Sequence, residues 1–264
     1  MSASEMFQLE VSAAEAYEAN FVPAVFAEWA QELVVDAGIS PGERVLDVAC
    51  GTGIVARKVA DTTAAEITGV DINPAMLEVA RRVRPELSWG QADAGALPFP
   101  DRAFDKVLCQ MALMFFPDPT AALREMARVT ADGGSLAVVV PGRLEEQPVY
   151  GPFVELASRH ADADAMSLLG AYFSCGDLER LRQLFESAGL AVTGTRTHVG
   201  TANNASAEQF VVVEVESTPL ADRLDEEQYA SLRFGAARVL APFTASDGSV
   251  AAPLQGHIVI ACKA

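Results

Sequence analysis

Short apolar runs, each closing on a small or acidic residue and followed by an amphipathic stretch, recur along the first half of the chain. Arg44-Val45-Leu46-Asp47-Val48 has the length and β-branched content of a buried parallel strand, and Ile54, Val55, Lys58 and Val59 behind it have helical spacing. Glu66–Ile72 predicts a second strand and Asn73-Pro74-Ala75-Met76-Leu77 a helix start, with proline at an early position where a missing N–H costs nothing. A third strand ends near Trp89, the fourth is Phe104–Gln110, a helix covers Pro119–Thr130, and Gly133–Val140 supplies the fifth strand. Strands alternating with helical patterns predict an α/β architecture with a mostly parallel sheet.

Upstream, Tyr17, Phe21, Val22, Val25, Phe26 and Trp29 recur at three- and four-residue steps, predicting a helix pair over 12–37, with Pro23 marking a break or a fresh start near Val22. Downstream, residues 143–175 carry scattered aromatics and prolines and two short helical stretches. Cys175–Gly189 predicts an amphipathic helix capped by Ser174 or Asp177. Leu190–Val199 is expected as the sixth strand, two or three helices occupy 205–250, and Gly256–Cys262 is expected as the last strand. The organisation expected is an N-terminal helical cap (1–39), a ligand-binding core (40–142), a lid insertion (143–175), a core helix with the sixth strand (176–204), a second helical lid (205–250) and the last strand (251–264).

Between the first strand and its helix lies Ala49-Cys50-Gly51-Thr52-Gly53. Such a corner cradles nucleotides: glycine lets backbone approach a ligand, and the helix start offers free N–H groups. Gly51-x-Gly53-x-x-Ala56 fits the dinucleotide fingerprint. Asp47 at the strand's end, however, suits a ligand bearing an ammonium better than one bearing phosphates. These residues match D/E-x-[AG]-x-G-x-G, and the segment resembles the class I S-adenosylmethionine (SAM)-dependent methyltransferases, closest to their quinone-biosynthesis-like and small-molecule branch. The resemblance covers roughly residues 40–141 with its landmarks in order.

The resemblance implies a Rossmann-like, seven-stranded, mostly parallel sheet with an antiparallel last strand. It implies SAM as cofactor and S-adenosyl-L-homocysteine as product. Gly51 and Gly53 would approach the amino-acid part of SAM, Ala49 fills the motif's small position, and Asp47 would sit near the ammonium. Asp71, 18 residues past Gly53, would take the ribose hydroxyls. Ile72 and Met76 would pack on the adenine, Asp93 would accept its amine with Ala94 beside it, and Gln110 would lie by the methionine moiety. In related proteins a leading segment folds over the cofactor; Tyr17 and Phe21 are the residues placed there.

Composition narrows the partners. The net charge of −17 with 19 Lys and Arg against 36 Asp and Glu disfavours nucleic acid and anionic membranes. No apolar run reaches the ~18–20 residues of a bilayer span. Four cysteines with no C-x-x-C pair and a start without a basic signal segment fit reduced thiols in a cytoplasm. No zinc spacing is present, and Asp118 and Asp132 are too isolated to argue for magnesium. The fourth strand lacks the Asn/Asp-Pro-Pro-Tyr/Phe sequence of nucleic-acid amino-methyltransferases.

Methyl transfer from a sulfonium is an in-line displacement that needs a base only when the nucleophile holds its proton, so no catalytic side chain need stand out. Of the three histidines, His257 lies in an apolar strand and His198 stands at the end of one. His160, in the expected lid beside Arg159 and Asp162, is the candidate general base. The expectation is a SAM-dependent methyltransferase, monomer or homodimer, methylating an O, N or C nucleophile of a small, largely apolar metabolite that is aromatic, polyketide- or quinone-like. A SAM-binding protein that transfers no methyl and an NAD(P)-dependent oxidoreductase are the alternatives.

Overall fold

A computed structural model describes residues 10–159, 170–216 and 224–263. Its strands are β1 (Arg44–Val48), β2 (Glu66–Asp71), β3 (Ser88–Gln91), β4 (Phe104–Gln110), β5 (Thr130–Pro141), β6 (Leu190–Asn204) and β7 (Val250–Lys263), in the spatial order β3-β2-β1-β4-β5-β7-β6. All neighbours are parallel except those of β7, which runs antiparallel to both β5 and β6. The order reverses beside β1, and the crevice outside the carboxyl ends of β1 and β4 is where open α/β sheets bind ligands.

The alternation of side chains along each strand divides the core into two layers. Val45, Leu108 and Val139 face a layer containing Trp29, Leu33, and Val55 and Val59 of α3 (Ile54–Thr62), whereas Leu46, Val107 and Val138 face one containing Leu123, Met126, Leu181 and Phe185. The helices that close these layers are capped as their sequences dictate. Asn73 accepts the Ala75 N–H at 2.8 Å ahead of α4 (Pro74–Val83), and Asp118 accepts Ala121 N–H at 2.9 Å ahead of α5 (Pro119–Val129). Asp177, rather than Ser174, caps α7 (Leu178–Ser187) through two backbone N–H groups.

The N-terminal segment departs from expectation. There is no break at Pro23: α1 (Val11–Ala16) runs through a π-helical stretch, Tyr17–Phe26, into α2 (Ala27–Ala37). A proline ring clashes with the carbonyl four residues back in an α-helix, and the wider i→i−5 register relieves that clash without ending the helix. The register also re-aims side chains. Tyr17 and Phe26 are nine residues apart, which at 100° per residue would place them on opposite sides of an α-helix. At roughly 4.4 residues per turn they fall on one side, and their rings stack with centroids 5.4 Å apart, with Phe21 between them at 5.7 and 4.9 Å.

The other departure is length. The sixth strand continues past Val199 to Asn204, and the last begins at Val250 instead of Gly256. The added pairs, Val199↔Gln255 to Asn204↔Val250, lie beyond Pro141↔Gly256, so a two-stranded ribbon rises past the carboxyl end of β5. Trp29, fully buried, packs against its base, where a Cβ on Gly256 would stand 2.7 Å from the indole and one on Gly200 3.1 Å. The ribbon carries α8 (Ala207–Glu216) over the sheet edge, against α9 (Glu226–Leu240), which in turn meets α6 (Tyr150–Ser158). Gln147 ties the approach to α6 to the ribbon: its amide donates to Gln255 O at 3.0 Å and accepts from Gln255 N–H at 2.9 Å. No helix among the described residues is long and apolar enough to cross a membrane.

Candidate functional site

Tyr17, Phe21, Asp47, Ala49, Gly51, Asp71, Ile72, Met76, Asp93, Ala94 and Gln110 line one cavity of about 250 Å³ at the carboxyl ends of β1, β2 and β4. Cys50, Asn73, Phe26, Met111, Phe115, Phe116 and Tyr172 complete much of its wall. Gly53 is not among the lining residues. Its φ of +90° and the 2.3 Å from a would-be Cβ to the Trp89 ring give that position a packing reason for glycine. Gly51, at φ +55°, lies under Tyr17, whose hydroxyl would be 3.8 Å from an added Cβ.

The turn is strained where it meets the cavity. Ala49 at φ +56° and Met111 at φ +49° are non-glycine residues in the left-handed region, and both line it. Such conformations cost of order 1–3 kcal/mol and persist where surrounding structure over-determines them. Here Cys50 N–H is held by Val70 O at 2.9 Å and Met111 N–H by Val139 O at 2.8 Å.

Asp47 is fully buried. One carboxylate oxygen accepts the Ala56 N–H at 3.1 Å and the other, Oδ1, has no hydrogen-bond partner among the described residues. Burial, and to a lesser extent the Asp71 charge, push its pKa up to about 8 against the opposing Ala56 hydrogen bond. Gln110 repeats the pattern: Nε2 donates to Phe26 O at 3.2 Å, and Oε1 is buried without a partner. Two orphaned acceptors on the walls of one cavity are a demand for N–H or O–H donors.

Asp71 closes the β1–β2 corner. It accepts Gly51 N–H and Asn73 N–H, each at 2.8 Å, and burial raises its pKa against these hydrogen bonds. Asp93 is exposed and accepts Gly95 N–H at 2.8 Å, with Ala94 buried beside it. The π-helical stretch is tied over the cavity by the Gln110–Phe26 bond and by a bidentate Arg57–Glu18 pair at 2.8 and 3.1 Å.

A second, smaller cavity shares Phe21, Phe26, Met111 and Tyr172 with the first and adds Tyr150, Phe153, Phe173 and Glu214. Behind this cavity Phe210 is fully buried against Tyr150 and Phe153, whereas Phe234 is 76% exposed. His160 lies outside the described residues. His257 is held by Thr197 Oγ1 at 2.9 Å and Gly176 O at 3.1 Å, and burial lowers its pKa, keeping it a neutral structural group. His198 lies 3.1 Å from Glu28. Two features were not singled out in the sequence, Phe26 as a wall residue and Glu214. The proline inside an aromatic helix was the one available hint of the first; nothing local marks the second. Among the described residues no group of three His, Cys, Asp or Glu could hold a metal ion.

Residues 46–138 match the family model of a methyltransferase domain. The chain is 43% identical over 124 residues, 47% of its length, to a demethylmenaquinone methyltransferase of Renibacterium salmoninarum. It spans about half the length of the curated relatives it matches. Among solved structures it is similar to the YcgJ protein from Bacillus subtilis, with TM-score 0.62, 23% identity, and 89% of this chain and 98% of that one covered. It is also similar to the [4+2]-cyclase SpnF, with TM-score 0.58, 23% identity, and 90% and 81% covered. Residues 46–138 are therefore similar to a methyltransferase domain, and the seven-stranded sheet that contains them shares its fold with these solved structures.

Proposed function

We propose that this chain binds S-adenosyl-L-methionine in the larger cavity and transfers its methyl group to an O, N or C nucleophile of a small, largely apolar metabolite, aromatic, polyketide- or quinone-like. The observation that carries this reading is the buried Asp47 Oδ1, an acceptor without a partner among the described residues, on a residue of the cavity wall that also includes Gln110 with its orphaned Oε1. An ammonium supplies donors to both, whereas the pyrophosphate of a nicotinamide dinucleotide brings acceptors and negative charge to a corner already holding Asp47 and Asp71. That disfavours the oxidoreductase alternative.

The bound cofactor supplies a methyl group already activated by a positive sulfur. The protein's part is positioning and the exclusion of water. Asp71 accepts the ribose hydroxyls, Ile72 and Met76 flank the adenine, and Asp93 accepts its amine beside Ala94. Gly51 lets backbone approach the amino-acid end. Tyr17, Phe21, Phe26, Phe115, Phe116 and Tyr172 give the cavity its aromatic walls. The surrounding α6, α8 and α9 act as a lid over the acceptor. An aromatic, weakly hydrated enclosure suits an aromatic acceptor, in keeping with the name of the Renibacterium relative. The four cysteines are free thiols, consistent with a cytoplasmic location.

Calorimetric titration with S-adenosylhomocysteine, with NADH as control, tests the site. Stoichiometric micromolar binding of the first and none of the second is expected; the reverse overturns the assignment. Labelled-methyl incorporation into phenols, quinols or amines then separates transfer from binding alone.

A further inference from the structure

A carboxyl group buried among aromatic rings is expensive to desolvate, and Glu214 on α8 is such a group. It is 8% exposed and lines the smaller cavity with Phe153, Phe173, Tyr150 and Tyr172. The Tyr150 hydroxyl donates to its Oε1 at 2.9 Å. Among the described residues the phenols of Tyr150 and Tyr172 are the only other titratable side chains lining that cavity. Of the titratable groups on the elements packed against α8, Glu18 pairs with Arg57, Arg196 with Glu32 and Asp36, His198 with Glu28, and Arg233 with Glu208, while α9 also carries Glu226, Glu227 and Arg238. Burial pushes the Glu214 pKa up to about 7, with the Tyr150 hydrogen bond acting the other way. A base poised near neutrality is suited to proton transfer.

The smaller cavity holds about 40 Å³, room for the hydroxyl end of a ring, and its walls Phe21, Phe26, Met111 and Tyr172 are shared with the cofactor-sized cavity. We propose that Glu214 takes the acceptor's proton. In this proposal the smaller cavity receives the O–H end of a phenol- or enol-type acceptor against the carboxylate, oriented by Tyr150. The inference rests on the methyl-transfer reading and narrows its acceptor to an oxygen nucleophile. As the O–H bond breaks, its electron pair forms the O–CH3 bond. The pair of the C–S bond returns to sulfur, and the proton stays on Glu214 until water takes it after product release.

The test uses the S-adenosylhomocysteine-saturated protein and 4-nitrophenol, whose phenolate absorbs in the visible. Ionised Glu214 repels the phenolate, so wild type binds the neutral phenol and raises its apparent pKa. Glu214→Gln removes that charge, and phenolate affinity is expected to rise about tenfold, with the dissociation constant for S-adenosylhomocysteine unchanged. Infrared titration should show one carboxylic-acid C=O stretch lost near pH 7 in wild type and absent from Glu214→Gln. Tyr150→Phe should move that midpoint upward, and this comparison stands even if Glu214→Gln fails to fold. Equal phenolate binding by wild type and Glu214→Gln overturns the proposal, as does a midpoint unmoved in Tyr150→Phe. Failure of wild type to bind S-adenosylhomocysteine sinks the cofactor assignment, whereas the phenol titration of the ligand-free protein still judges Glu214.

Discussion

The glycine-turn cavity and the Glu214 chamber share four walls but are built in opposite ways. The first is assembled from strand ends whose residues lie within about fifty positions of one another: Asp47 and Gly51 after β1, Asp71 after β2, Asp93 and Ala94 after β3. Each is placed by a local rule, a strand that stops and a helix that starts. The second joins Phe26, Met111, Tyr150, Tyr172 and Glu214, residues spread over most of the chain. They meet because a π register turns one aromatic and a lengthened ribbon lifts one helix. In this molecule the generic part of the site is local in sequence and the part that would select an acceptor is not.

The largest expected effect separates packing from ligand contact within the glycine turn. Gly53→Ala should lose about 2–4 kcal/mol of stability from positive φ and overpacking against Trp89, read as a lowered denaturation midpoint. Stability near wild type with abolished S-adenosylhomocysteine binding would instead make Gly53 a ligand contact. Next, Asp71→Ala should weaken S-adenosylhomocysteine binding by about 1–3 kcal/mol, the penalty of losing a charge-assisted acceptor, while Glu214→Gln leaves it alone. A weakening shared by both variants would erase the distinction between the two cavities.

Asp47 gives a pH test. Its pKa is raised in the folded protein, so its contribution to stability is present below the unfolded-state carboxylate value and lost as pH rises through about 8. The ligand-free protein should gain stability as pH falls from 8 toward 4, and Asp47→Asn should flatten that slope. An ammonium beside the carboxylate favours its charged form. Binding at pH 7 should therefore release about one proton, measured as a buffer-dependent calorimetric enthalpy and absent in Asp47→Asn. The smallest effect is at the tether: Glu18→Gln should weaken S-adenosylhomocysteine binding by about 0.5–1 kcal/mol and speed proteolysis before Phe26. An unchanged cleavage pattern would mean that the Gln110–Phe26 bond and ring packing hold the segment unaided.

How much was legible follows from the range of each interaction. The ends of β4 and the helix start at Asn73-Pro74 could be read directly, because a strand's period and a helix's first turn involve neighbours a few residues apart. Pro23 misled because the rule that proline breaks a helix assumes an α register, and only packing of Tyr17, Phe21 and Phe26 into the cavity favours the wider turn. The strand expected over Leu190–Val199 stops short of the observed β6. What continues it is pairing with residues about fifty positions later, which no local pattern records.

By itself the sequence determined the order of strands and helices, the small-residue turn after Asp47, the acids at the ends of β2 and β3, and an acidic chain ill-suited to nucleic acid. These depend on periodicity, backbone freedom and charge, which are properties of neighbours or of the whole count. Only the tertiary structure decided that Gly53 answers to Trp89, that Phe26 joins Tyr17 over the cavity, and that a glutamate inside an apolar helix meets Tyr150 instead of solvent. Burial is a property of what the rest of the chain brings alongside, and it is burial that turns Glu214 from a surface acid into a group titrating near neutrality.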